Sequence, residues 1–430
     1  MASTELYVHM NGHAVGTLTQ LSRGTLEFTY FEAWLQSDLR RPISLSLPLS
    51  PTSYTGDIVY NFFDNLLPDN LDIRERIQKK YNAKTSQSFD LLSHIGRDCV
   101  GALQLCPNPS PVDVRTITAD KVCEEEIAHI IRNYGSNPLG MNADDEFRIS
   151  IAGVQEKTAL LKQADGWYRP RQATPTTHII KLPIGFIQHQ NMDLSDSVEN
   201  EWLCQEIIRA FGVPIAKSSP ELFSGEKVLV VERFDRKWAE DHSWIVRIPQ
   251  EDMCQVFHTA PALKYESDGG PGIEQIMNLL VGSTKSQADR ETFLTAQLLF
   301  WLLAAIDGHA KNFSIVLEQG GAFQLTPLYD VISAYPLIAK NQLQLQKISL
   351  AMALTSRNRH YRWNEIQKRH LLSTAKRCRF SEVTMQAIID RVCDQLDDVI
   401  AKVEQLLPVS FPDSVATPIF DGMRKAKAQL

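Results

Sequence analysis

Nine consecutive apolar residues, Leu298-Leu299-Phe300-Trp301-Leu302-Leu303-Ala304-Ala305-Ile306, run without a break into Asp307. A segment this apolar reads as a core helix, and a buried helix that stops at a polar loop is a rigid mount for chemical groups. The next stretch is short and polar: Asp307-Gly308-His309-Ala310-Lys311-Asn312-Phe313-Ser314, then strand-like Ile315-Val316-Leu317, then Leu325-Thr326-Pro327-Leu328-Tyr329-Asp330. Taken alone, a core helix leading into an ordinary surface turn accounts for this segment equally well.

Spacing adds chemistry. Asn312 stands five positions after Asp307, and Asp330 comes one hairpin later. In phosphoryl transfer of the protein-kinase kind, one Asp accepts the substrate hydroxyl proton. An Asn five positions on holds magnesium, and a later Asp holds magnesium against the phosphates. Upstream, His178-Ile179-Ile180-Lys181-Leu182-Pro183 reads as a buried strand whose Lys181 stands where kinases carry the lysine for the α/β-phosphates of ATP. A solvated strand-end lysine is the simpler account of it in isolation. Lys227-Val228-Leu229-Val230-Val231-Glu232-Arg233-Phe234-Asp235-Arg236 is a strand that turns polar abruptly. It suits a hinge with free backbone groups for an adenine edge, or a strand with a charged exit. Neither GxGxxG nor GxxxxGK[ST] precedes Lys181. The candidate phosphate loop is Ser150-Ile151-Ala152-Gly153-Val154-Gln155-Glu156-Lys157, between strand-like Phe147-Arg148-Ile149 and Thr158-Ala159-Leu160-Leu161. Ala152 and Gly153 are small enough to let backbone N–H groups approach phosphate oxygens, although a plain β-turn fits the same residues.

These strings resemble the HipA family of serine/threonine kinase toxins. The matching segments are Arg148 to Leu161, Thr176 to Gly185, Val231 to Arg236, Pro249 to Gln255, Lys264 to Gly272, the whole Asp307 loop and, near the start, Tyr60 to Asp69. The resemblance covers essentially the full chain. It implies an α+β fold, bilobal and protein-kinase-like (PI3/4-kinase-like), with a strand-rich N-lobe, a helical C-lobe and an additional N-terminal α+β subdomain. The implied blocks are residues 1–138, 139–236 and 237–430. By resemblance, Asp307 is the catalytic base, with Lys311 stabilising charge at the transferred group. Asn312 and Asp330 are the Mg2+ ligands, and Lys181 is the ATP-phosphate lysine. Ala152, Gly153, Val154, Gln155, Glu156 and Lys157 form the loop over the phosphates, Glu232, Arg233 and Phe234 the adenine hinge, and His309 and Tyr329 further nucleotide contacts. Ser150 is implied as an autophosphorylated off-switch. ATP and Mg2+ are the implied cofactors. The implied partners are a HipB-type helix-turn-helix antitoxin, operator DNA reached through that complex, and a translation-factor substrate, glutamyl-tRNA synthetase. Growth arrest and persistence belong to the same family picture.

Composition bounds the answer. A chain of 430 residues is long enough for two or three domains. Its hydrophobic content of 43% and charged content of 22% fit a soluble globular protein. Seven cysteines without a CxxC read as free thiols in a reducing compartment. The start, Met1-Ala2-Ser3-Thr4-Glu5-Leu6-Tyr7, lacks the basic head and apolar core of a signal peptide. The longest apolar run falls short of the roughly 20 residues of a spanning helix. The expectation is a cytoplasmic protein with no membrane partner.

The net charge of −7 argues against a chain that coats nucleic acid by itself. Yet Arg357, Arg359, Arg362, Lys368, Arg369, Lys376, Arg377 and Arg379 cluster against one acid, Glu365. A solvated helix face explains this as readily as a phosphate-backbone track. The family resemblance places a DNA contact at Lys376, Arg377, Cys378 and Arg379.

Local patterns predict a hairpin at Leu6–Leu18 turning at Asn11-Gly12, a helix over Asp72–Tyr81, a strand over Val100–Leu105 and a helix over Ser197–Phe211. Glu199, Glu201 and Glu206 on that last helix are candidates to pair with Lys181. Amphipathic helices are expected over Ser381–Leu407. Three rival functions stay open: a small-molecule or lipid kinase of the same fold, a catalytically idle corepressor on DNA, and a metal hydrolase, for which the histidines show no ligand spacing.

Overall fold

Asn11 and Gly12 take φ of 49° and 84°, the left-handed pair that a two-residue type I′ turn needs. They close the predicted hairpin between the strands Glu5–Met10 and His13–Gln20, with Met10 opposite His13. The computed structural model describes residues 4–110, 112–141, 148–153, 155–188 and 191–430. The chain divides into two units, each made of discontinuous segments. One holds residues 1–182, 221–262 and 315–323; the other holds 183–220, 263–314 and 324–430.

In the first unit, that hairpin belongs to a five-stranded sheet ordered Tyr54–Thr55, Leu26–Tyr30, His13–Gln20, Glu5–Met10, Leu103–Cys106. The last strand starts later than the Val100–Leu105 expected and ends one residue further on, because Gly101 and Ala102 form a turn. The helix Leu71–Tyr81 begins where the Asn70 side chain accepts from the amide of Asp72 at 2.8 Å and stops at Asn82 with φ 51°. An amide-capped start and a left-handed stop define such a helix. Its buried residues include Ile73 and Ile77, which join the core with Phe28, Phe62 and Phe63.

A second sheet of six strands runs Ser218–Phe223, Glu226–Glu232, His178–Lys181, Lys157–Gln163, Gly166–Pro170, Ala119–Val122. Its middle is apolar: Ile180 lies opposite both Val230 and Thr158, and Leu160, Val228 and Val230 are buried with it.

The second unit is mainly helical. The helix Glu382–Glu404 packs against Ser197–Ala210, Ser286–Leu302, Lys368–Arg377 and Asp413–Lys427. Its buried side recurs at Met385, Ile388, Ile389, Val392, Leu396 and Val399, the three- and four-residue spacing of one helix face. Trp301 and Trp363 stack at 5.5 Å, and each indole N–H donates to the other's backbone carbonyl, at 3.1 and 2.6 Å. Those two bonds satisfy the polar edges that would otherwise oppose burying such large rings. Among the described residues, no helix is long and apolar enough to cross a membrane.

Candidate active site

The apolar run does not stay helical up to Asp307. The helix Ser286–Leu302 ends earlier, and Leu303–Ile306 form a turn built on Ala304 at φ 48°. The amide of Ala304 donates to Trp301 at 3.1 Å and that of Ala305 to Phe300 at 2.8 Å. This is a Schellman closure with Ala in the position usually given to Gly, so backbone bonding rather than a break in hydrophobicity stops the helix. Position 308 is glycine because nothing larger fits: a Cβ on Gly308 would lie 2.4 Å from the Phe300 ring.

The loop beyond is tied to itself. The His309 amide donates to the Asp307 carbonyl at 2.8 Å and the Asn312 amide to the His309 carbonyl at 2.9 Å. From its side chain, Asn312 Nδ2 donates to the backbone carbonyls of Asp307 at 2.8 Å and Asp330 at 3.3 Å. Three predicted residues are thereby brought together. Asp330 itself sits at φ 62°, a left-handed conformation that Asp adopts more readily than most non-glycine residues. Tyr329 braces the two strings, its hydroxyl donating to the Lys311 carbonyl at 2.8 Å and sharing a 2.5 Å bond with Ser314 Oγ. Lys311, His309 and Asn312 are buried, while the Asp307 side chain is 60% exposed.

One contact here was not foreseen. The Tyr265 hydroxyl donates to Asp307 Oδ1, and its ring meets His309 edge-on at 5.1 Å. The partners are 42 residues apart in sequence, beyond the reach of spacing patterns. Only the glycine run after Tyr265 hinted at a tight loop. Asn200 was likewise missed: it exchanges bonds of 2.8 and 2.9 Å with the backbone of Ser333, anchoring the chain just after Asp330. Of the three glutamates considered on the same helix, Glu206 pairs with Arg209 and Glu201 accepts from Gln205 at 3.1 Å.

The first unit carries the other predicted residues. Lys181 lies in the strand His178–Lys181, directly across from Lys157 on its neighbour. Both are 7% exposed. Like charges placed opposite each other are unfavourable, and burial adds to the cost. Lys157 Nζ donates to the Ala152 carbonyl at 2.8 Å and lies under Gly153, where a Cβ would approach it to 2.5 Å. Gly153 takes φ 110° and gives its carbonyl to the Asp69 amide at 3.0 Å. The side chains of Gln155 and Glu156 are already engaged, with the Leu182 carbonyl and Arg76. Val154 and Phe147 lie outside the described residues. Ser150 is wholly buried, with Oγ donating to the Leu66 carbonyl at 2.7 Å.

The expected hinge needs correction at Arg233. Its amide is not free, since it donates to the Thr177 carbonyl at 2.9 Å. Its guanidinium, with those of Arg236 and Arg247, surrounds the buried Asp98 and Asp235 at 2.8 to 3.3 Å. Burial alone would raise the Asp98 carboxyl, but Arg236, Arg233 and Arg247 together hold it well below the usual carboxylate range. Glu232 remains exposed at the strand end and Phe234 half-buried beside it.

The basic segment is partly countered. Lys376 pairs with Glu382 at 3.2 Å and Arg377 with Glu274 at 2.6 Å, both on the surface. Cys378 is buried, and burial pushes its thiol up to about 12. Its side chain therefore cannot touch DNA. Arg379 ends the helix at φ 52° and is exposed.

Known proteins resemble most of the chain. A family model for the HipA-like C-terminal domain matches residues 149–400, and one for the HipA N-terminal domain matches residues 6–106. The protein Y4mE of Sinorhizobium fredii, which carries a provisional kinase name, is 32% identical over 337 residues, covering 77% of this chain and 78% of its own. The serine/threonine-protein kinase toxin HipA of Shewanella oneidensis is 26% identical over 340 residues, covering 76% and 75%. A solved structure of Shewanella oneidensis HipA with HipB and operator DNA superposes at a TM-score of 0.81 and 22% identity, covering 99% of this chain and 96% of that one. The fold is therefore α+β and of the kinase-like HipA type. The chain belongs to the HipA family.

Proposed function

We propose that this chain is a serine/threonine protein kinase toxin that moves the γ-phosphate of ATP to a hydroxyl of a translation factor. The observation that carries the reading is Asn312, whose amide ties the backbones of Asp307 and Asp330 into one cluster. In this reading Asp307 orients and deprotonates the hydroxyl. With Nδ2 committed to two carbonyls, Asn312 keeps its oxygen for a cation, and Asp330 adds a carboxylate. These hard oxygen donors fit Mg2+, which is held by one or two protein groups plus phosphates rather than by a full protein cage. Bound Mg2+ would neutralise phosphate charge. Lys181, Lys157 and the backbone of residues 152–157 hold phosphates. Glu232 and Phe234 bound the adenine, and Lys311 and His309 complete the charge around the reacting group. Catalysis rests on positioning and electrostatics.

Ser150 serves as the off-switch: a phosphate there cannot occupy a buried site bonded to Leu66, so the segment leaves and the phosphate loop is lost. Shewanella oneidensis HipA was solved together with HipB and operator DNA; in the present reading this chain binds a helix-turn-helix antitoxin and reaches operator DNA through it, with Lys376, Arg377 and Arg379 on the DNA backbone. Residues 1–138, 139–236 and 237–430 act as N-terminal, nucleotide and catalytic blocks.

Incubating the purified chain with γ-labelled ATP, Mg2+ and glutamyl-tRNA synthetase tests this. Label should enter the synthetase with wild type and not with Asp307→Asn. Equal labelling by both overturns the role of Asp307, and label appearing only in small molecules or lipid moves the assignment to another substrate class.

A further inference from the structure

The loop that carries Tyr265 is built rather than incidental. The amides of Asp268 and Gly270 both donate to the Tyr265 carbonyl, at 3.0 and 2.9 Å. A Cβ on Gly270 would lie 2.2 Å from the Leu263 carbonyl, so that position requires glycine, and one on Gly272 would push against the Glu266 carboxylate at 2.3 Å. Glu266 in turn accepts from the Ala353 amide at 2.6 Å. The loop is also stitched to the Asp307 segment, because the Ala310 amide donates to the Lys264 carbonyl at 3.2 Å. Every one of these bonds fixes where the Tyr265 hydroxyl ends.

That hydroxyl ends on Asp307 Oδ1. His309 Nε2 also approaches Oδ1, at 4.0 Å. Both neighbours therefore sit on one oxygen of an otherwise exposed carboxylate, and Oδ2 has neither. A carboxylate that must accept a proton in one direction needs its torsion fixed, since a rotating base spends most of its time misaligned.

We propose that Tyr265 is a positioning residue for phosphoryl transfer: its phenol holds Oδ1 so that Oδ2 faces the substrate hydroxyl. This rests on the kinase reading above. In the step, the hydroxyl oxygen bonds to the γ-phosphorus of ATP as its O–H bond breaks, and the proton goes to Oδ2. The bond from the γ-phosphorus to the bridging oxygen breaks, and its electron pair leaves on ADP.

Tyr265→Phe tests it, because the ring and its edge contact with His309 survive while the hydroxyl is lost. Initial rates of label transfer from γ-labelled ATP to glutamyl-tRNA synthetase, and to the chain itself, are measured for wild type, Tyr265→Phe and Asp307→Asn, with thermal melts of all three. The expected result is a kcat lower by roughly 10- to 100-fold, with KM for ATP and the melting midpoint unchanged. A kcat equal to or above wild type overturns the proposal, the phenol then being idle or obstructive. A raised KM for ATP at unchanged kcat overturns it too, by moving Tyr265 to nucleotide binding. Absence of all transfer by wild type removes the kinase reading and this inference with it, an outcome distinct from a silent Tyr265→Phe.

Discussion

Asn312 Nδ2 donates to the backbone carbonyl of Asp307 at 2.8 Å, and the same nitrogen lies 3.3 Å from the carbonyl of Asp330. A neutral amide is the only common side chain that can serve two carbonyls with its nitrogen and still present an oxygen on the other side. Asn312→Asp puts a carboxylate oxygen against two carbonyl oxygens. We expect a loss of about 1–3 kcal/mol in stability and loss of phosphoryl transfer, read by urea unfolding and by labelled-ATP rates. A variant with wild-type rate would mean that the amide tie is dispensable.

Asp98 is the anion at the centre of three guanidiniums. Asp98→Asn leaves Arg233, Arg236 and Arg247 short of a buried counter-charge, and breaking a buried pair costs about 3–5 kcal/mol. The depressed carboxyl also sets an acid limit. Its stabilisation is present above the ordinary carboxylate value of 3.8 and is lost as pH falls below that value through the lowered one in the folded protein. Denaturant midpoints across acid pH check both statements. An Asp98→Asn protein with a wild-type midpoint at neutral pH would contradict the first.

Glu251 titrates in the opposite sense. Burial raises its carboxyl from 4.5 to about 8, against the hydrogen bonds from Ser44 Oγ at 2.5 Å and the Leu45 amide at 2.8 Å. A raised carboxyl stabilises the fold fully below pH 4.5, and that contribution fades as pH climbs toward 8. Glu251→Gln should flatten the stability profile across that window, measured as melting midpoint against pH. An unchanged slope in the variant would show that Glu251 is already ionised when buried.

Ser150 should report on its own segment. Wild type, with Oγ bonded to Leu66 and the amide bonded to the Asp98 carbonyl at 3.0 Å, is expected to resist trypsin after Arg148 and Lys157. Ser150→Asp places a charge at a fully buried position, and brief trypsin treatment should cut there several times faster. Equal digestion of the two proteins would keep the segment in place and remove the proposed basis of the off-switch.

Short-range features were legible in the residues themselves. The Asn11-Gly12 hairpin, the helix begun by Asn70, the strand carrying Lys181 and the helix after Ser197 each arise from a local cap, turn or period, and those act within a few residues. The Asp307, Asn312 and Asp330 set was legible because one loop and one hairpin carry it. Tertiary structure decided the rest. Arg233 reads as part of a polar strand exit, yet its partner Asp98 is 135 residues away. Cys378 reads as part of a basic patch, yet it is buried. Ala304 reads as helix, yet it turns the chain at positive φ. Tyr265 lies beside a glycine run that marks a tight loop, yet its contact with Asp307 spans 42 residues. Sequence spacing encodes contacts made within a turn or two of backbone, whereas burial, ion pairing and the aim of a side chain depend on segments that only folding brings side by side.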